Sequence, residues 1–138
     1  MVLEQIYSQK KNDAPAIRLV QNKMPDSTEE WYWALATYDN DWGTRFSFQL
    51  PIGGGTAVRG GMIIDFLYYT PMVATPVFID GFYWHSVPAL ERFQRSQVPS
   101  LLGAEYGIFA KAPISISSNE IDTLEKVREK FLEIIGPA

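Results

Sequence analysis

The chain has 138 residues, near the commonest size for one domain, and its 46% apolar and 20% charged residues give a globular balance. It has no cysteine, which excludes disulfides, thiolate zinc sites and a cysteine nucleophile. Its net charge of -4 and pI near 4.9 argue against indiscriminate nucleic-acid binding, which draws on a basic face.

Residues 1–26, broken by Pro15 and Pro25, form the expected N-terminal arm, and residues 27–138 the single domain. The arm's first residues carry no apolar signal core, and no apolar run nears the roughly 20 residues that cross a bilayer. A soluble, cytoplasmic protein with no membrane partner is expected. Ser27-Thr28-Glu29-Glu30 has the capping-box pattern, so a helix should run to about Tyr38, with Trp31, Ala34, Leu35 and Tyr38 on one face. Phe46, Phe48 and Leu50 alternate with polar residues and predict a half-buried strand up to Ile52. Met62 to Tyr69 predicts a second strand, apolar except for Asp65, and Val77 to Ile79 a third, ending at Asp80-Gly81. Pro88 to about Gln97 reads as a helix, Tyr106 to Ile114 as a fourth strand, and Ser118-Asn119 opens a last helix. That helix carries Ile121, Leu124, Val127, Phe131 and Ile134/Ile135 on one stripe and ends at Gly136-Pro137. The expected fold class is α/β: a mixed sheet of about four strands flanked by helices, in the order helix-strand-strand-strand-helix-strand-helix.

Asp65 is the most informative residue. An ionised carboxylate inside an apolar strand is costly unless a metal ion, an arginine such as Arg45 or Arg59, or a place at the sheet's edge relieves it. Asp80 ends the next strand, and neighbouring strands lie about 4.8 Å apart. The two acids could therefore share a hard cation, which prefers oxygen ligands; Asp80-Gly81 alone would read as a turn. His85 is the only histidine, which rules out multi-histidine metal sites but suffices for one acid/base role. Gly53-Gly54-Gly55 and Gly60-Gly61 are not a phosphate loop, because no Gly-Lys-Ser/Thr follows and a strand stands where a helix is needed. Lys10, Lys11, Arg18 and Lys23 could make a local basic patch.

Ile63-Ile64-Asp65-Phe66, followed by Val77-Phe78-Ile79-Asp80-Gly81-Phe82-Tyr83-Trp84-His85, resembles the active-site core of very-short-patch mismatch-repair endonucleases and related homing endonucleases, in the PD-(D/E)xK superfamily. The stretch from Ser27 to Gly61 resembles nucleases of this type from phages and mobile elements. The resemblance implies a restriction-endonuclease-like fold and a metal-dependent DNA endonuclease, at work in a host cytoplasm if phage-encoded. It implies Asp65, Asp80, His85 and Glu30 as catalytic residues. Asp65, Asp80 and the Ile79 carbonyl would hold Mg²⁺ or Mn²⁺, and Gln49, Arg59, Arg92 and Arg95 would contact the substrate. DNA is the implied partner, with a protein partner supplying DNA affinity or a homo-oligomer as further expectations. Two departures stand out: Phe78 occupies the superfamily's Glu position and Asp80 its Lys position. They leave a competing expectation, a catalytically inactive nuclease fold serving as a structural or assembly subunit. A small-molecule pocket lined by the aromatic residues is a third.

Overall fold

A computed structural model describes residues 14–55, 61–80 and 89–138, with the side chains of 89–91 outside the description. Arg59, His85, Lys10, Lys11 and the segment Gly81–Trp84 lie outside the described residues.

Helix α1 (Thr28–Asp39) starts where Ser27 Oγ accepts the Glu30 N–H at 3.1 Å. It is wrapped almost all round: Trp31, Tyr32, Trp33, Ala34, Ala36 and Thr37 are buried. Tyr38, expected to face inward, is 45% exposed. The single-face expectation fails because the arm also covers α1, with Trp31 Nε1 donating to the Pro15 carbonyl at 2.9 Å.

Strands β1 (Phe46–Ile52), β2 (Met62–Tyr69) and β3 (Ala74–Asp80) form an antiparallel meander. Phe46 lies opposite Tyr68, and Phe66 opposite Val77. At the far end of the first hairpin, a Cβ on Gly61 would sit 2.1 Å from the Gly55 carbonyl oxygen, so only glycine fits there. β3 begins three residues before the expected Val77. Pro76 is tolerated inside it because the next strand first pairs at Val77, after an isolated bridge from Ala74 to Ala110.

The single helix expected between the third and fourth strands is two, α2 (Ala89–Ser96) and α3 (Val98–Tyr106). Pro99, expected to mark a break or a new start, marks a start: it sits in the first turn of α3, where its missing N–H costs nothing. Gly107, at φ 65°, closes α3. The fourth strand is therefore later and shorter than expected: β4 (Ile114–Ser117), parallel to β3. A 3₁₀ turn at Ser118–Glu120 precedes α4 (Leu124–Ile134), which is capped by Thr123. The last helix thus starts at Leu124 rather than at the expected Ser118-Asn119, and Ile121 lies ahead of it. Within the helix the stripe holds, with Val127 and Phe131 buried and Leu124, Ile134 and Ile135 packed beside them, and Ile121 joins the same core.

The sheet order is β1-β2-β3-β4. The protein is thus α/β, with a mixed four-stranded sheet between helices. One face carries α1 and α4 over Phe46, Phe48, Phe66, Tyr68, Val77 and Ile116. The other carries α3 through Val98 and Leu102, over Ile52, Ile64, Leu67, Ala74 and Phe78.

The centre of the first face is a closed ring of polar contacts. Thr37 Oγ1 donates to the Trp33 carbonyl at 2.8 Å, so the Tyr68 hydroxyl, 2.7 Å away, donates to Thr37 Oγ1 and accepts from Trp33 Nε1 at 2.8 Å. Every proton in the ring has one place to go. Burial accordingly pushes the pKa of the Tyr68 hydroxyl up. Tyr68→Phe would strand the Trp33 N–H in dry core at a cost of about 1–3 kcal/mol. We expect a lower urea midpoint with an unchanged m value, read by near-UV circular dichroism.

Candidate metal centre

Residues two apart on a strand should share a face. Phe48 and Leu50 do not: Phe48 packs under α1 and Leu50 on the α3 side. Phe66 and Ile64, opposite them, are split in the same way. The reversal falls on the row between, Gln49 and Asp65, whose pairing is missing from an otherwise continuous register. Gln49 absorbs it with a left-handed backbone, φ 51°.

Beyond this row β2 and β3 part. Their ladder covers Phe66–Tyr69 against Ala74–Val77 only, although β3 continues to Asp80. Asp65 Oδ2 fills the gap, accepting the Ile79 N–H at 2.7 Å. The strand carboxylate is held where a backbone carbonyl would otherwise be.

The arm supplies the rest. Val20 and Lys23 close a tight turn, bonding N–H to carbonyl both ways, with Gln21 and Asn22 left-handed at its tip. The Gln21 amide imitates a neighbouring strand: it donates to the Phe46 carbonyl at 2.8 Å and accepts the Phe48 N–H at 2.9 Å. Lys23 Nζ donates to the carbonyls of Phe48 and Gln49. The chain then reaches Asp26, just before the Ser27 cap. Carboxylate oxygens of Asp26, Glu30 and Asp65 lie within 4.8 Å of one another. Gln49 Nε2 donates to Glu30 Oε1 and to the Met24 carbonyl, both at 2.9 Å.

Three acids this close repel one another. Asp65 is pushed up to about 7, first by burial and then by the Glu30 charge; the Ile79 N–H pulls it back, and Asp80 and Asp26 add to the rise. Glu30, only 3% exposed, is also raised by burial, against the pull of the Gln49 amide, with a push from the Asp26 charge and a smaller pull from the Asp26 backbone N–H. Such an all-oxygen set could hold a hard metal ion.

The expected pairing of Asp65 with Asp80 is replaced by this trio. Both Asp80 oxygens are taken by Arg95, Nη1 to Oδ2 at 2.7 Å and Nη2 to Oδ1 at 2.5 Å. Arg95 also donates to Ser115 Oγ at 3.1 Å and lies 4.4 Å above the Phe78 ring. It is thus engaged inside the fold, as is Gln49. Arg92 is exposed on α2. Ile79 meets Asp65 through its N–H. Glu30 belongs to the cluster even though the capping pattern alone would turn it back on its own helix. Asp26 was not anticipated; it lies in the least patterned part of the chain, and only its place next to the Ser27 cap marks it.

Compared with known proteins, the chain matches no family model, no curated protein and no solved structure. No helix among the described residues is long and apolar enough to cross a membrane.

Two measurements probe the centre. Asp65 titrates near 7 when folded but near ~4 when unfolded. Its contribution to stability is therefore full below pH ~4 and is lost as pH rises to 7. Asp65→Asn should exceed the wild type by roughly 3 kcal/mol at pH 8 in EDTA, with the gain shrinking towards pH 4 in urea melts. Arg95→Ala should cost about 2–3 kcal/mol, because it leaves Asp80, 9% exposed, without its partner. Urea melts of that variant test it.

Proposed function

We propose that the chain is a divalent-cation-dependent phosphodiesterase acting on DNA, an endonuclease of restriction-endonuclease-like fold. The observation that carries this reading is the meeting of Asp26, Glu30 and Asp65 where β2 and β3 part. The order of elements, α1 then a three-strand meander then helices then a parallel β4, agrees with it. A bound Mg²⁺ or Mn²⁺ would polarise the scissile phosphate and acidify an attacking water. Asp26, Glu30 and Asp65 would hold the ion, and Asp65 would release its proton as the ion binds. Among the described residues the β2–β3 ladder ends at Phe66, so Asp65 is the first β2 residue beyond it and its carboxylate would face a bound phosphate through the ion. Arg92, exposed on α2, supplies a cation for the nucleic-acid backbone. His85 and Arg59 keep the roles the resemblance implies. With a net charge of -4, DNA affinity would draw on a protein partner or a second copy.

A second reading, a nuclease fold kept as a structural or assembly subunit, draws on Phe78, an apolar residue where the superfamily carries an acid. Plasmid nicking separates the two. The expected outcome is conversion of supercoiled DNA with Mg²⁺ or Mn²⁺, stopped by EDTA and abolished by Asp65→Ala. Nicking that survives Asp65→Ala rejects the site, and its absence in the wild type with either ion favours the subunit.

A further inference from the structure

A glutamine in a left-handed backbone inside a sheet is out of place. Glycine takes that conformation freely, whereas an L side chain is strained in it. Such strain persists where the surroundings enforce it, and it gathers at functional positions. At Gln49 the surroundings are specific. The turned backbone brings the amide to Glu30 Oε1 on α1 and to the Met24 carbonyl on the arm, with both N–H groups of Nε2 in use. It also turns the Gln49 carbonyl to Lys23 Nζ at 2.9 Å. One residue therefore ties two elements that have no sheet bonds to each other, the arm bearing Asp26 and the helix bearing Glu30. Gln21 and Lys23 fasten the same arm along β1 through Phe46 and Phe48.

The geometry points to Gln49 as a positioning residue: it fastens the strap Val20–Asp26 to the sheet at Met24 and, together with the Asp26 backbone N–H on the Glu30 carboxylate, sets Asp26 beside Glu30 and Asp65. The inference rests on the cation reading given under Proposed function. Cation affinity is thereby coupled to docking of the strap, in both directions. A bound ion holds the strap down, and a loosened strap gives up the ion. The cost is carried by the β1 backbone rather than by the acids, so the two effects can be separated by substitution.

Gln49→Gly removes the amide and relieves the backbone. Mn²⁺ alone is the probe, titrated calorimetrically into the full chain, with the melting temperature and the rate of trypsin cleavage after Lys23 measured beside it. The expected result is Mn²⁺ affinity lower by about tenfold or more, a melting temperature equal to or above the wild type, and loss of the protection that Mn²⁺ gives Lys23 in the wild type. Unchanged Mn²⁺ affinity in Gln49→Gly overturns the inference while leaving the cation site standing. A melting temperature that falls together with the affinity makes Gln49 a structural residue and overturns it as well. A wild type that binds no Mn²⁺ removes the cation reading, and this inference with it.

Discussion

The bond from the Ile79 N–H to the Asp65 carboxylate governs the shape of the rest. A sheet cannot leave its inner N–H groups bare, yet β2 and β3 part above the Phe66–Val77 pair. The side chain of one strand supplies the acceptor that the other strand's backbone has lost. An opening in the sheet is thus made without an unsatisfied donor, and the group that makes it is an acid. Glutamine or asparagine could close the same gap without charge. A carboxylate there, raised towards neutrality first by burial and then by the Glu30 charge, makes the closure sensitive to pH as an amide would not.

Two kinds of packing surround that opening. Below it lies an aromatic layer in which Phe46, Phe48, Phe66 and Tyr68 meet at ring distances of 5.1 to 6.2 Å, stiffened by the polar ring through Trp33 and Thr37. Such a layer has little freedom to shift. Above it the fold is held by charge and single hydrogen bonds: the arm on β1, and Arg95 on Asp80 at the far end of β3. The rigid side fixes the strands, and the polar side decides where the carboxylates point. Asp80 belongs to this second group, because its arginine pins α2 to the ends of β3 and β4 through Ser115 as well.

Patterned segments were legible in the sequence. The alternation at Phe46 and Phe48, the single acid in an apolar strand, and the stripe from Leu124 to Ile135 each led to the right element, although the last helix starts at Leu124 rather than at Ser118. The same holds for the parallel return of the last strand, since a helical crossover leaves few alternatives. What escaped was set by contacts between distant residues. Tyr106 looks like the start of a strand, but Gly107 in a left-handed turn makes it the end of a helix. Asp80 looks like a metal ligand or a turn until Arg95, fifteen residues on, is seen to hold it. Asp26 has no period to betray it, and Gln49, expected to contact substrate, is in the alternating pattern only a polar position, with nothing to mark its bond to Glu30. Its backbone angle, which the side-chain pattern does not encode, is what turns it towards the acids.

The first and last helices share one core, and this has a consequence for synthesis. Trp33 packs against Phe131 at 5.1 Å, and the Trp42 indole donates to the Gly136 carbonyl. The strand meander closes through short connections and can form while the chain is still emerging from the ribosome. Its aromatic face, and α1 with it, stays unsealed until α4 is in place. Until then Trp33 and Tyr68 lack the cover that Val127 and Phe131 give them, and an unsealed apolar face of this kind invites association with other apolar surfaces.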